Sequence, residues 1–246
     1  MRHTCMNTCM CTCMHTGGRA RWLELEGEDR LRGRHLHTCA RCDGPLYANA
    51  HVVVVGGGDS AAEAALLLSR HAARVSLVHR RSSFRASARL LSAVANASDV
   101  IRVRAPAEVV RWVTAERGAE RGGAEGGSAE AGLELVGVEI AEIDEVDEGR
   151  EQEGGRGGRR REVVEATGAF VAVGHAPMSD FLPTSVQRDA HGYLQLVRRT
   201  MSSVDGLFAC GDVADPRYRQ AVTAAGTGAQ AALDVDEWLT VGTLLP

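Results

Sequence analysis

The stretch His51-Val52-Val53-Val54-Val55-Gly56-Gly57-Gly58-Asp59-Ser60-Ala61 decides the fold. Side chains along a strand point alternately to opposite faces. An unbroken β-branched run therefore suits a strand covered on both sides, as in a parallel sheet. Glycines follow at once. Asp59 to Ala72 then reads as a helix, rich in Ala, Leu and Glu, with Asp59 or Ser60 placed to cap its start. Val75 to Val78 is a second short apolar strand. Strand, glycine turn, helix and strand in that order define an α/β unit of the Rossmann-like kind.

Gly56, Gly58 and Ala61 fit the pattern G-x-G-x-x-G/A, with Asp59 and Ser60 inside the same turn. The first glycine permits a tight turn, the second lets a pyrophosphate approach the backbone, and the small third residue allows close helix–strand packing. The phosphate would lie at the helix N-terminus, where free N–H groups and the helix dipole favour an anion. A glycine turn without a ligand is the alternative, and the strand before and helix after argue against it. At the end of the second strand an NAD site would carry a carboxylate for the ribose hydroxyls. This chain instead has His79, Arg80 and Arg81, with Arg85 close behind. Guanidinium forks match the extra 2′-phosphate of NADPH, and an ordinary solvated basic cluster is the rival reading.

Working outward, Cys39-Ala40-Arg41-Cys42-Asp43 precedes the strand. A C-x-x-C pair can close a short disulfide, and a neighbouring cation such as Arg41 lowers a thiol pKa. Asp43 is placed to act as a general acid toward a leaving thiolate or a flavin nitrogen. Zinc is the competing use of such a pair, but it calls for four ligands, and no second C-x-x-C or H-x-x-x-H is present. Only the run Met1–Thr16, with Cys5, Cys9, Cys11 and Cys13, offers further thiols. That run is a compositional tract of Cys, Met, Thr and His. It reads either as a soft-metal site or as a repetitive start with no folded role.

The 246 residues suit one large domain or two modest ones. A formal net charge of -4 does not call for nucleic acid or an anionic membrane. All the basic side chains other than histidine are arginine, which we read as a coding bias. No apolar run approaches the roughly 20 residues that cross a bilayer, and no secretory signal is visible. These features predict a cytoplasmic protein, with an organelle left open. Ala107–Val113, Leu133–Ile140 and Glu162–Val173 read as three strands of a meander. Between them, Ala115–Gly132 and Asp144–Arg161 are rich in Gly, Glu and Arg and read as solvated or disordered loops. His191–Val197 reads as a later strand and Gln220–Leu239 as a closing helix.

Five segments in order, CARCDG, VVVVGGGDSAAEAALLL, VHRRSSFRAS, FVAVGHAP and GLFACGDVADPRYRQAVTAAGTGAQAALDVDEWL, resemble the low-molecular-weight NADPH-dependent thioredoxin reductases, class II pyridine nucleotide-disulfide oxidoreductases. The resemblance runs from about Thr16 to Leu239. It implies a three-layer FAD/NAD(P)-binding fold and a homodimeric flavoenzyme. In that family a hydride passes from NADPH to FAD, and electrons then pass to the cysteine pair and on to thioredoxin or a similar protein. On this reading Cys39, Cys42 and Asp43 are the redox pair and its acid. Gly56, Gly58, Asp59, Ser60, Ala61, His79, Arg80, Arg81 and Arg85 hold NADPH. Gly174, Gly211, Asp212, Arg219, Gln220 and Ala221 match the remaining cofactor motifs, the last five toward FAD.

The family begins with a further G-x-G-x-x-G unit that grips the ADP half of FAD, and this sequence contains no such unit. The expected organisation is therefore an N-terminal segment and linker over 1–20, a complete NADPH domain over 21–174, and part of an FAD domain over 175–246. Gly17–Arg21 and Gly174–Pro177 match the linkers about which the family's domains swing. Two other readings stand beside this one: a truncated NADPH-binding module without flavin catalysis, and a Cys-rich metal-binding protein.

Overall fold

A computed structural model of the chain describes residues 17–116, 132–143 and 160–244. The Cys/Met/Thr run with its metal reading lies outside the described residues, as does most of the two Gly/Glu/Arg-rich stretches. The chain divides into two compact units. One is Arg21–Gly174. The other joins the chain up to Ala20 with the chain from His175 onward.

Elements are numbered along the chain, beginning with strand β1 (Gly18–Ala20) of the second unit. In the first unit, helix α1 (Glu28–Leu31), strand β2 (Leu36–His37) and the short helix α2 (Ala40–Asp43) lead to a 3₁₀ turn at Gly44–Tyr47. Strand β3 (His51–Val55), helix α3 (Asp59–Leu68) and strand β4 (Arg74–Val78) form the expected strand–turn–helix–strand unit. Helix α4 (Ala88–Asn96) and strand β5 (Ile101–Arg104) extend it. Strands β6 (Ala107–Glu116), β7 (Leu133–Glu142) and β8 (Arg161–Glu165) make an antiparallel meander, and β9 (Gly168–Val171) returns to the parallel sheet. The sheet order is β2-β9-β3-β4-β5, all parallel.

The valine run shows why three layers form. Val52 and Val54 pack with Ala61, Ala65, Leu68, Val75 and Leu77 in the helix-side core. Val53 and Val55 pack with Val109, Trp112, Val138 and Ile140 in the core beneath the meander. Alternate side chains of one strand thus feed two separate cores, the consequence of a period of two in a strand covered on both faces. Fully burying each valine contributes about 1.5 kcal/mol or more.

Three elements differ from the sequence reading. The helix expected to reach Ala72 ends at Leu68. The chain must there turn back to the sheet, where the Ala73 and Arg74 N–H groups donate to the Ala50 carbonyl. The single strand expected over Glu162–Val173 is two strands, β8 and β9. At the break, the Ala166 N–H donates to Val136 of the meander, while the Thr167 N–H donates to His51 of the parallel sheet. Consecutive residues thus belong to different layers. The strand expected over His191–Val197 falls later, at β11 (Leu196–Arg198).

In the second unit β1 pairs antiparallel with β10 (His175–Pro177), and β11 pairs with β12 (Met201–Ser202). Helix α5 (Ala221–Val241) closes the chain, with Gln220 and Thr223 forming a reciprocal capping box. Asp234 of α5 is buried and accepts from the Thr200 N–H at 3.1 Å and the Thr200 hydroxyl at 2.6 Å. Those bonds and its ion pair with Arg199 favour the charged form and outweigh burial, holding its pKa below the usual carboxylate value. Val186, Leu194, Ala209 and Val213 form one small core, and Met201, Phe208 and Leu244 another.

Candidate functional site

The glycine turn joins β3 to α3. Gly56 has φ +151°, and a Cβ there would lie 2.4 Å from the Ala172 carbonyl oxygen and 2.9 Å from Ala61 Cβ. Glycine and a small residue at 61 are therefore both required by packing. A Cβ on Gly57 would fall within 2.4 Å of three atoms of the His79 ring. Gly58 has open space around it. Gly58 is the N-cap of α3, and no side chain caps the helix. Asp59, read from sequence as a cap, instead accepts the Ser87 N–H at 2.7 Å. Ser60 is exposed beside it. With no side-chain cap in place, the N-terminal N–H groups of α3 are available to an anion.

Beside the turn lies a cleft of about 520 Å³ lined by Gly56, Gly57, His79, Arg80, Arg85 and Trp22, among others. The arginine loop is tied to the turn by the main chain: Arg85 and Ala86 N–H both donate to the Gly57 carbonyl, at 2.7 and 3.2 Å. Arg80, Arg81 and Arg85 are exposed. His79 differs from them. It is buried, its Nε2 lies 3.1 Å from the Ser83 carbonyl, and it packs on Phe84. Burial pushes its pKa down; the Ser83 carbonyl opposes this, while Arg81, Arg85 and Arg80 reinforce it. His79 thus supplies shape, and the arginines supply the charge.

Trp22 was not singled out in the sequence. Its loop is held by Glu28, which is 2% exposed and accepts from the Leu23 and Glu24 N–H groups at 3.2 and 2.8 Å. Gly174, with φ +117°, ends the unit and accepts from the Arg21 N–H at 3.0 Å.

Cys39 and Cys42 are joined in a disulfide. Cys39 is the N-cap of α2, and its sulfur accepts from the Cys42 N–H at 3.1 Å. Cys42 is exposed and Cys39 half-buried. Asp43 follows directly, and its Oδ2 lies 3.1 Å from His37 Nδ1. His37 is 5% exposed, and its other ring nitrogen, Nε2, lies 2.7 Å from the Tyr47 hydroxyl. Tyr47 is buried and within reach of the Arg34 carbonyl at 3.2 Å. Burial, then the charge of Asp43, pushes the Tyr47 pKa up to about 12. Neither His37 nor Tyr47 stood out in the sequence, because nothing in their spacing announces the contact.

In the second unit, Gly211 and Asp212 sit in a 3₁₀ turn, with the Gly211 N–H donated to Thr227 Oγ1 at 2.9 Å. Burial and then the Asp215 charge raise the Asp212 pKa, while Arg219 lowers it. Asp215 accepts from the Arg217, Tyr218 and Arg219 N–H groups and shapes the approach to α5. Arg219, Gln220 and Ala221 therefore fall together at the N-terminus of a 21-residue helix. A cleft of about 340 Å³ runs past Cys210, Gly211, Ala214 and Thr227. Among the described residues no group of three or more His, Cys, Asp or Glu could hold a metal, and no helix is long and apolar enough to cross a membrane.

Comparison with known proteins follows the same lines. The family described as pyridine nucleotide-disulphide oxidoreductase matches residues 14–228. The chain is similar to a thioredoxin reductase of Mycolicibacterium smegmatis, 38% identical over 91% of this chain and 62% of the relative. It is equally similar, at 38%, to a bifunctional thioredoxin reductase/thioredoxin of Mycobacterium leprae, covering 91% of this chain and 42% of that protein. Among solved structures, a thioredoxin reductase of Giardia duodenalis is 33% identical with a TM-score of 0.72, over 91% of this chain and 64% of that one. The chain thus spans under two thirds of the length of these relatives.

Proposed function

The chain belongs to the pyridine nucleotide-disulphide oxidoreductases, and from that premise we propose that it serves an NADPH:disulfide oxidoreductase of the thioredoxin-reductase type. The supporting observation is that one unit, Arg21–Gly174, carries both an uncapped glycine turn beside an arginine-edged cleft and the Cys39–Cys42 disulfide. The pyrophosphate of NADPH would lie against Gly56–Ala61, and Arg80, Arg81 and Arg85 would meet the 2′-phosphate. Gly211, Asp212, Arg219, Gln220 and Ala221 are the residues this chain would offer to FAD, with Gly174 at the end of the NADPH unit. Bound FAD would supply the step that converts a hydride into the electron pair a disulfide accepts. The chain's own residues then handle the proton at Asp43 and the exchange at Cys39 and Cys42. The acceptor is thioredoxin or a thioredoxin-like protein, consistent with the name of the Mycobacterium leprae relative.

The test is NADPH oxidation coupled to thioredoxin reduction by the FAD-supplemented chain, with NADH as the control. NADPH-dependent turnover that a Cys39→Ser variant abolishes is the expected result. A chain that binds NADPH yet neither retains FAD nor reduces any protein disulfide would instead be a nucleotide-binding module.

A further inference from the structure

Reduction of the Cys39–Cys42 bond breaks one S–S bond with two electrons and leaves two thiols, so two protons must arrive. We propose that His37 and Tyr47 are positioning residues that make Asp43 a rechargeable proton donor for this pair. The inference rests on the redox role proposed for the disulfide.

The Tyr47 hydroxyl has one proton and two acceptors within reach, His37 Nε2 at 2.7 Å and the Arg34 carbonyl at 3.2 Å. A carbonyl can only accept. When Tyr47 donates to His37, that ring carries its proton on Nδ1 and donates it to the Asp43 carboxylate. When the hydroxyl turns to Arg34, its oxygen must accept a proton from Nε2. Nδ1 and Asp43 Oδ2, 3.1 Å apart, then need a further proton between them. The two orientations of one hydroxyl thus match two states of the pair that differ by one proton, which solvent supplies or takes up, with no heavy atom displaced. Tyr47 itself keeps its proton in both, because burial and the Asp43 charge push its pKa up to about 12.

The surroundings hold this geometry. Phe170 of β9 stacks on His37 with centroids 5.3 Å apart and meets Tyr47 edge-on at 5.6 Å. Gly168 of the same strand leaves room for Tyr47, whose ring a Cβ would strike at 2.2 Å. The aromatic neighbours of the His37 ring are Tyr47 and Phe170, Arg34 offers its main chain to Tyr47, and Asp43 Oδ2 faces His37 Nδ1. Arg41 of α2 is exposed. Asp43 is partly exposed, its side chain 33% accessible, so its proton can be replaced from solvent.

The test follows reduction of the oxidised full chain by dithiothreitol against pH, with rates corrected for the attacking thiolate. A dithiothreitol thiolate attacks one sulfur, the S–S bond breaks, and the leaving sulfur takes the proton from Asp43. The second dithiothreitol thiol then closes its own ring and releases the other cysteine. The wild-type rate should fall along one limb as pH rises. Asp43→Asn should remove that limb. His37→Gln should move it to lower pH and slow the reaction near neutrality by about tenfold. Tyr47→Phe keeps the ring stack and should shift the limb the same way by less, and it decides the question if His37→Gln does not fold. Folded variants at His37 and Tyr47 that keep the wild-type profile would overturn the inference alone. A pair that dithiothreitol leaves oxidised would overturn the proposed redox role and this inference with it.

Discussion

The carboxylate of Asp59, in the first turn of α3, accepts the main-chain N–H of Ser87 at 2.7 Å, across 28 residues of sequence. With the two bonds to the Gly57 carbonyl, it ties the loop that carries Arg85 to the glycine turn. Replacing Asp59 with Ala should free that loop. The expected cost is about 1 kcal/mol of stability and a severalfold loss of NADPH affinity, measured by thermal melting and by calorimetric titration.

The exposed arginines should separate the two nicotinamide nucleotides. Arg80→Ala, Arg81→Ala or Arg85→Ala should each weaken NADPH binding by about 1–2 kcal/mol, roughly tenfold. NADH binding should be nearly unchanged, because it lacks the 2′-phosphate. Raising the salt concentration should reduce the difference between nucleotides, since exposed charges are screened. An NADH affinity that falls in parallel would point to general unfolding of the cleft.

Gly56 sits where a side chain meets backbone. A Cβ there would lie 2.4 Å from the Ala172 carbonyl oxygen at a φ of +151°, and backbone cannot give way as a flexible side chain can. Gly56→Ala should destabilise the first unit by more than about 2 kcal/mol. Gly58→Ala has no such neighbour. It should melt near the wild-type temperature while losing nucleotide affinity, a contrast that separates packing from binding.

His175 gives a pH signature in the second unit. Burial, reinforced by the Arg219 charge, pushes its pKa down to about 4. In the unfolded chain an imidazole takes its proton near about 6.5. Between those values the unfolded state binds more protons, so stability falls as pH drops through this window and levels off below it. His175→Gln should flatten this part of the melting-temperature profile measured from neutral to acidic pH.

Much of the first unit was readable because its signals are local. The valine run, the glycines and the arginines lie within 35 residues, and each needs only a period or a spacing to be recognised. The features that were missed are held by distant residues. Asp59 looked like a helix cap because its partner, Ser87, is far along the chain. The break at Ala166–Thr167 was invisible because the two residues join two strand-like stretches, Val163–Val164 and Ala169–Val173, while their N–H groups serve different sheets. Trp22 reaches the cleft through the buried carboxylate of Glu28, which the sequence presents as one more surface charge. His37 and Tyr47 flank the C-x-x-C in sequence, yet only the fold brings both against Asp43 or its neighbour ring.

The central claim is that electrons from NADPH end on Cys39 and Cys42. The direct measurement is a single anaerobic turnover of the FAD-loaded chain with one equivalent of NADPH, followed by thiol trapping and mass spectrometry. NADPH should be oxidised in step with two newly trapped thiols, at Cys39 and Cys42. Consumption of NADPH with those cysteines still joined, or intact NADPH beside bound FAD, would contradict it.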